Sequence, residues 1–452
     1  MTARTVGALL TALAVVMPLT TRADQDDERR GRNEQDCRDR DYFEHNRKTP
    51  LALVGVITVP GKPITSADIA WVDPATERYY FADRSNSGVD IIDAENHLWV
   101  ARVTGMAGAL TSGGGTSTTN GPGPNGVLVT PNRRLWAGDG NSTVQIADVD
   151  PDSSRYLSLL KTVSTAIPAC DTATPPGSGT VGHWCGRADE LGYDPKDHII
   201  LIANNAPLSP TKICPTPTSP TAHCRIDPYA TFISATPPYS VLGTITFAGA
   251  GGLEQPVWDA ALGKFWITVP GPTGGKPTLA RVDPHTMKAD KTYVFDCLAL
   301  TGAASASITG VALAPYQHLL VSACGFPITL NAVTGKVYQV ITGVGGGDEV
   351  WHNPGDGRFY VTGPLGGVPG NVQQLGVIDA EHSTLLQTIP EVRGKNPAAF
   401  PEQNHVFTIV QITAAIAAGT ATDDSVCATK FGFTGTGCIA VFAHADDRDD
   451  ER

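Results

Sequence analysis

One pattern recurs along this chain: a polar residue, a short apolar run, a turn often built as Asp-Pro or Asn-Pro, and a second run rich in β-branched and aromatic residues. It reads "DIAWVDPATERYYFAD" from Asp68, "DELGYDPKDHIILIAN" from Asp189, "EQPVWDAALGKFWITV" from Glu254 and "DEVWHNPGDGRFYVTG" from Asp348. Looser copies are "NGVLVTPNRRLWAGD" from Asn125, "TGVALAPYQHLLVSA" from Thr309 and "NPAAFPEQNHVFTIV" from Asn396. Each is a pair of strands around a tight turn, because Asp and Asn accept from the turn backbone and Pro fixes its first torsion. A second hairpin follows several of them, as in "GVDIIDAENHLWVARV" and "LGVIDAEHSTLLQTI".

Successive copies start 39 to 65 residues apart, a spacing that suits four-stranded blades carrying loops of varied length. Seven copies predict an all-β chain, a seven-bladed β-propeller of four-stranded antiparallel blades. The run "LALVGVITVP", ahead of the first copy, lacks a blade of its own, and "GCIAVFAHA", near the end, lacks partners. Placing both in the last blade closes the ring and removes the open sheet edge. A single core rarely serves a domain of this length; stacked blades avoid the limit because each packs on its neighbours alone.

The flanks read differently. "VGALLTALAVVMPL" after Arg4, followed by "TTRAD", predicts an export signal over residues 1–23 with cleavage after Ala23. That stretch is short of the roughly 20 residues that span a bilayer. Residues 24–49 and 444–452 are dense in mixed charge and poor in apolar side chains, which predicts solvated tails around a propeller over residues 50–443. The expected product is a secreted or periplasmic monomer that does not insert into membrane, and a net charge of −12 argues against nucleic acid as a partner. Eight of nine cysteines fall into neighbouring pairs, Cys170 with Cys185, Cys214 with Cys224, Cys297 with Cys324 and Cys427 with Cys438, which suits disulfides in an oxidising compartment. Cys37 is left over in the N-terminal arm.

"RFYVTG" at Arg358–Gly363 and "VIDAEHSTLLQTI" are similar to the repeats of YVTN and NHL-type propellers. That resemblance implies the fold but no single activity, since such propellers host binding scaffolds, lactonases and lyases.

In a propeller the first strand of each blade lines the central channel, so its start and the end of the second strand share a face. The strand-start positions are Asp68, Asn125, Asp189, Glu254, Thr309, Asp348 and Asn396, all oxygen donors. Asp83, Asp139 and Asn204 at second-strand ends are further candidates for the same mouth. Glu349, one residue past Asp348, is expected to point away from the axis, towards a neighbouring blade. Facing carboxylates repel one another unless a cation intervenes, and an all-oxygen set suits Ca²⁺ or Mg²⁺. The ring resembles the axial Ca²⁺ site of gluconolactonase-type propellers, which implies Asp68, Asn125, Asp189, Glu254 and Asp348 as metal ligands. Channel-facing polar residues solvated by trapped water are the alternative. The turn residues Asp73, Asp194, Asp259 and Asn353 belong to the opposite face as turn caps.

His352, inside the sixth inner strand, and His183, ahead of Cys185, are the candidates for a general base. No hydrolase-elbow, zinc-protease, Walker or Rossmann pattern is present. Two readings stand. One is an exported recognition protein with a divalent-cation site at the channel mouth, binding a small molecule, a glycan or a protein. The other is a metal-dependent lactonase- or lyase-like enzyme using that ion as Lewis acid, with the loops between Cys170 and Cys224 and between Gly105 and Pro124 as pocket walls.

Overall fold

The computed structural model describes residues 49–106, 123–140, 142–167, 187–205, 208–213, 223–225, 227–364, 373–390 and 394–444. They form seven four-stranded antiparallel sheets in a ring. Blade 1, for instance, runs from the axis outwards as Ala70–Asp73, Arg78–Asp83, Gly88–Asp93 and Leu98–Thr104. The inner strands of blades 2 to 6 are Val127–Thr130, Arg187–Asp194, Pro256–Asp259, Ile308–Ala314 and Val350–Asn353. Blade 3 also carries a small hairpin, Leu208–Ile213 with His223–Arg225, between its second and third strands.

Blade 7 joins both ends of the folded chain. Its strands, from the axis outwards, are Gly394–Phe400, His405–Val410, Cys438–His444 and Leu51–Ile57, the last contributed by the N-terminal end. The expected closure is therefore present. The Leu51 N–H donates to Gln387 Oε1 at 2.9 Å, and Gln387 Nε2 donates back to the Leu51 carbonyl at 2.9 Å, tying the closing strand to blade 6. Next to it, the Thr49 carbonyl accepts from Arg358 Nη2 at 3.0 Å, and His444 Nε2 lies 3.2 Å from Asp356 Oδ2.

Burial follows the strand period. Second and third strands are covered on both faces, as in the run Tyr79–Asp83, whereas outer strands alternate, as in Val241–Thr246. Tyr79, Phe81, Phe400 and Phe407 interlock across the seam between blades 1 and 7, so apolar packing there bonds blade to blade. The expected turn caps are observed: Asp194 Oδ1 accepts from the Lys196 N–H at 2.8 Å, and Asp259 Oδ1 from Ala261 and Leu262 at 3.1 Å each.

Two of the expected disulfides are formed. Cys297–Cys324 anchors the one-turn helix Cys297–Thr301, between blades 4 and 5, to the end of blade 5's second strand. Cys427–Cys438 anchors the helix Val426–Phe431 to the third strand of blade 7. Cys37, and the side chains of Cys170, Cys185, Cys214 and Cys224, lie outside what is described. So do residues 1–48 and 445–452. Among the described residues no helix is long and apolar enough to cross a membrane.

Candidate functional site: the central channel

The strand-start residues are drawn together at one mouth of the channel, where they hold the blades to one another. Lys395 of blade 7 donates to Asp68 of blade 1 at 2.8 Å and lies 2.9 Å from Asp348 of blade 6. Arg84, just past blade 1's second strand, pairs with Asp68, and its Nε donates to Asn125 of blade 2 at 3.0 Å. Asn125 Nδ2 donates to the Ala188 carbonyl of blade 3 at 2.9 Å. Arg187 Nε donates to Asp189 at 2.7 Å within blade 3, and Asn205 donates to Asp189 at 3.3 Å and to Glu254 of blade 4 at 2.9 Å. Thr268 of blade 4 donates to the Thr309 carbonyl of blade 5, and the Thr309 hydroxyl to the Gly347 carbonyl at the start of blade 6. Asn396 Oδ1 accepts from the Glu349 N–H at 3.2 Å, linking blades 7 and 6. These contacts touch every blade.

The cations at this mouth are thus side chains of the protein. Burial pushes the Asp68 carboxyl upwards, but Arg84, Lys395 and Arg187 outweigh it and hold Asp68 well below its ordinary value. Burial lowers Lys395, and Asp348 and Asp68 more than restore it, so its charge is secured. The described residues contain no group of three or more Asp, Glu, His or Cys arranged to hold a metal. Asp68, Asn125, Asp189, Glu254 and Asp348 therefore fit poorly as a Ca²⁺ or Mg²⁺ cage. An entering ion would have to displace Arg84, Arg187 and Lys395 from the same oxygens. No chemistry is derived through it.

Asp83, Asp139 and Asn204, the second-strand candidates, make other contacts. Asp83 accepts from the Asn86 N–H at 3.0 Å and lies 3.6 Å from Arg102 on blade 1's outer strand. Asp139 accepts from the adjacent Gly140 N–H at 2.8 Å. Asn204 Nδ2 donates to Thr165 and its Oδ1 accepts from Thr231, each at 2.7 Å. None of these contacts reaches the ring described above.

Beneath the ring, Glu190, Gln255 and Glu349, each the next residue along its inner strand, face the axis, contrary to the expectation for Glu349. The Ala70 N–H of blade 1 donates to Glu349 Oε2 at 3.2 Å, which requires the side chain to reach past blade 7. From the other side Gln255 Nε2 lies 3.4 Å from Glu349 Oε1, while Gln255 Oε1 accepts from the Val311 N–H at 2.8 Å. Glu349 and Gln255 thereby bridge the channel. Glycine permits it: a Cβ on Gly310 would sit 2.7 Å from Val350 N, and one on Gly126 would sit 2.1 Å from the Asp189 carbonyl oxygen. The inner strands converge here more tightly than ordinary side chains allow.

Below this bridge the channel widens into a cavity of about 330 Å³. Glu190, Gln255 and Glu349 line its closed end, and Trp71, Trp258 and Trp351 its walls. Gly192, Val257 and Ala312 keep the lumen open by being small. Trp71 and Trp351 meet edge to face at 5.5 Å. Glu190 and Glu349 are 2% exposed, whereas the three tryptophans and His352 are half-buried, so exposure rises along the strands towards the inner turns. The cavity opens on the turn face, opposite the salt-bridged mouth. Its depth from Glu349 to His352 is three strand residues, roughly 10 Å.

Two buried polar atoms of residues that line this cavity lack partners among the described residues, Glu190 Oε2 and His352 Nε2. Burial, then Glu254 and Asp189, push the Glu190 carboxyl well above its ordinary value. Burial does the same to Glu349, opposed by the Ala70 N–H. Burial lowers His352 to about 4, so its imidazole is neutral near pH 7. His352 was a sequence candidate and lies in the cavity; His183 is outside the described residues, as are most of the expected loop walls. Sequence reasoning missed Glu190, Gln255 and the three cations. A signal was present, since "DE" opens both the third and sixth copies, and a basic residue stands beside two ring positions, in "GRADE" and "GKN", and beside a second-strand end, in "ADR".

No protein-family model matches the chain, and comparison with curated proteins gives no match. Solved structures do match. A chain from a mitotic checkpoint complex aligns over 87% of this chain and 94% of its own, with a TM-score of 0.53 at 14% identity. The β-propeller domain of Cps50 (Swd1) from Myceliophteria thermophila aligns over 87% and 99%, with a TM-score of 0.51 at 12% identity. The protein is a seven-bladed β-propeller, an architecture widely used as an interaction scaffold. At such low identity the likeness is one of fold.

Proposed function

We propose that this protein is an exported binding protein of YVTN-like type that takes a small ligand into its central channel from the turn face. The cavity carries the reading: it is blind at the ion-paired end, walled by tryptophans and supplied with few polar groups. Sites for small molecules are typically concave, mainly apolar and about 300–1,000 Å³, with a few fixed polar atoms. The export signal expected over residues 1–23 and the disulfides Cys297–Cys324 and Cys427–Cys438 support an oxidising, extracytoplasmic setting. Binding is favoured over a lactonase or lyase because the oxygen donors such an ion would need are engaged by Arg84, Arg187 and Lys395.

A thermal-shift screen of small compounds with the intact protein tests the proposal. Ligands are expected that raise the melting temperature of the natural chain and leave that of Ala312→Phe, whose ring fills the lumen, unchanged. Hits that stabilise both proteins equally would place the binding elsewhere and remove the support for a channel site.

A further inference from the structure

The closed end of the cavity is unusual in composition. Six carboxyl groups gather around it and the ring above, those of Asp68, Asp189, Glu190, Glu254, Asp348 and Glu349. Three side-chain cations face them, Arg84, Arg187 and Lys395. All three are engaged by the ring carboxylates, and no Lys or Arg lines the cavity itself. Glu190, 2% exposed, lines the cavity, and its buried Oε2 has no partner among the described residues. A buried acceptor left unsatisfied is costly and calls for a donor from outside the protein.

The wall above it suits the same visitor. Trp351 follows Glu349 by two residues and so shares its strand face, and Trp71 packs against it edge to face. An indole face attracts a cation, most strongly where water is excluded. The remaining wall, Val257, Val311 and Leu313, asks for hydrocarbon.

Taking the channel-binding reading as its basis, we propose that the ligand is a small organic ammonium ion with an apolar body. Its ammonium group donates to Glu190 and Glu349 at the blind end, and its body lies among Trp71, Trp258 and Trp351. An anionic ligand would find no cation at the wall to pair with. A neutral one would lack the positive charge that draws a proton from these carboxyl groups and pairs with the carboxylate left behind.

Calorimetry with three probes of one shape separates these cases: 2-naphthylmethylamine, 2-naphthylmethanol and 2-naphthoate, titrated into the full chain. The amine is expected to bind roughly tenfold or more tighter than the alcohol, and the acid weakest. Glu190→Gln with Glu349→Gln should remove most of the amine's advantage over the alcohol. Glu190→Gln alone provides the same comparison should the double variant fail to fold. Equal affinity for amine and alcohol, both lost in Ala312→Phe, would overturn the ammonium assignment while upholding the channel site. Binding of none of the three would overturn both.

Discussion

Glu190 concentrates the chemistry of this molecule in one side chain. A carboxyl held above its ordinary value keeps its proton in the folded state after the unfolded chain has released its own. Folding stability attributable to it therefore declines as pH rises above about 4.5. Glu190→Gln removes that dependence. The variant is expected to match the natural protein near pH 4.5 and to be the more stable of the two at pH 8, as read by denaturant melts at both values. Equal stability at pH 8 would mean that Glu190 has a partner. Lys395 has the opposite character: it is the shared counter-ion of Asp68 and Asp348, and Asp68 has no solvent to turn to. Lys395→Met should cost about 3 kcal/mol, measured by urea unfolding. A loss below about 0.5 kcal/mol would show the pair to behave as a surface ion pair.

Single elements derive their order from outside themselves. The helix Cys297–Thr301 has five residues, too few to persist alone. Asp296 caps it by accepting from the Ala299 N–H at 3.2 Å, and the Cys297–Cys324 bridge closes a separation of 27 residues. Loop-closure entropy assigns such a bridge about 3–4 kcal/mol. Replacing both cysteines by serine is expected to lower the melting temperature by several degrees; an unchanged melting curve would show that packing alone holds the segment. The turn acids illustrate which part of an element is local. Asp194 and Asp259 bond backbone within three residues of themselves, so their role was legible in the sequence. Asp83 and Asn204 occupy comparable strand-end positions; Asp83 also bonds Asn86 nearby, but Arg102, Thr165 and Thr231, their other partners, lie on or just beyond other strands.

At the scale of the molecule, closure decides stability. Blade 7 holds its outer strand, Leu51–Ile57, from the far end of the chain, and Thr49 accepts from the buried Arg358 beside it. Deleting residues 49–57 would expose the Cys438–His444 strand as a sheet edge. The truncated protein is expected to aggregate or be cleaved rapidly by protease, as followed by light scattering and limited proteolysis. A monomeric, protease-resistant product would show that the ring holds without its clasp.

The seven repeats, their inner turns and the pairing of the two chain ends follow from strand periodicity and turn chemistry, which act between near neighbours and so leave a mark in the order of residues. The polar ring positions were legible for the same reason, as one column of the repeat. What they bond to was not. Whether Asp68 meets a metal or Lys395, separated from it by 327 residues, depends on how blades are brought side by side around an axis. The inward reach of Glu349, the blind end made by Gln255, and the tryptophan-lined cavity have the same origin. Each arises where several inner strands converge at distances that glycines at 126 and 310 allow, and convergence is a property of the closed ring.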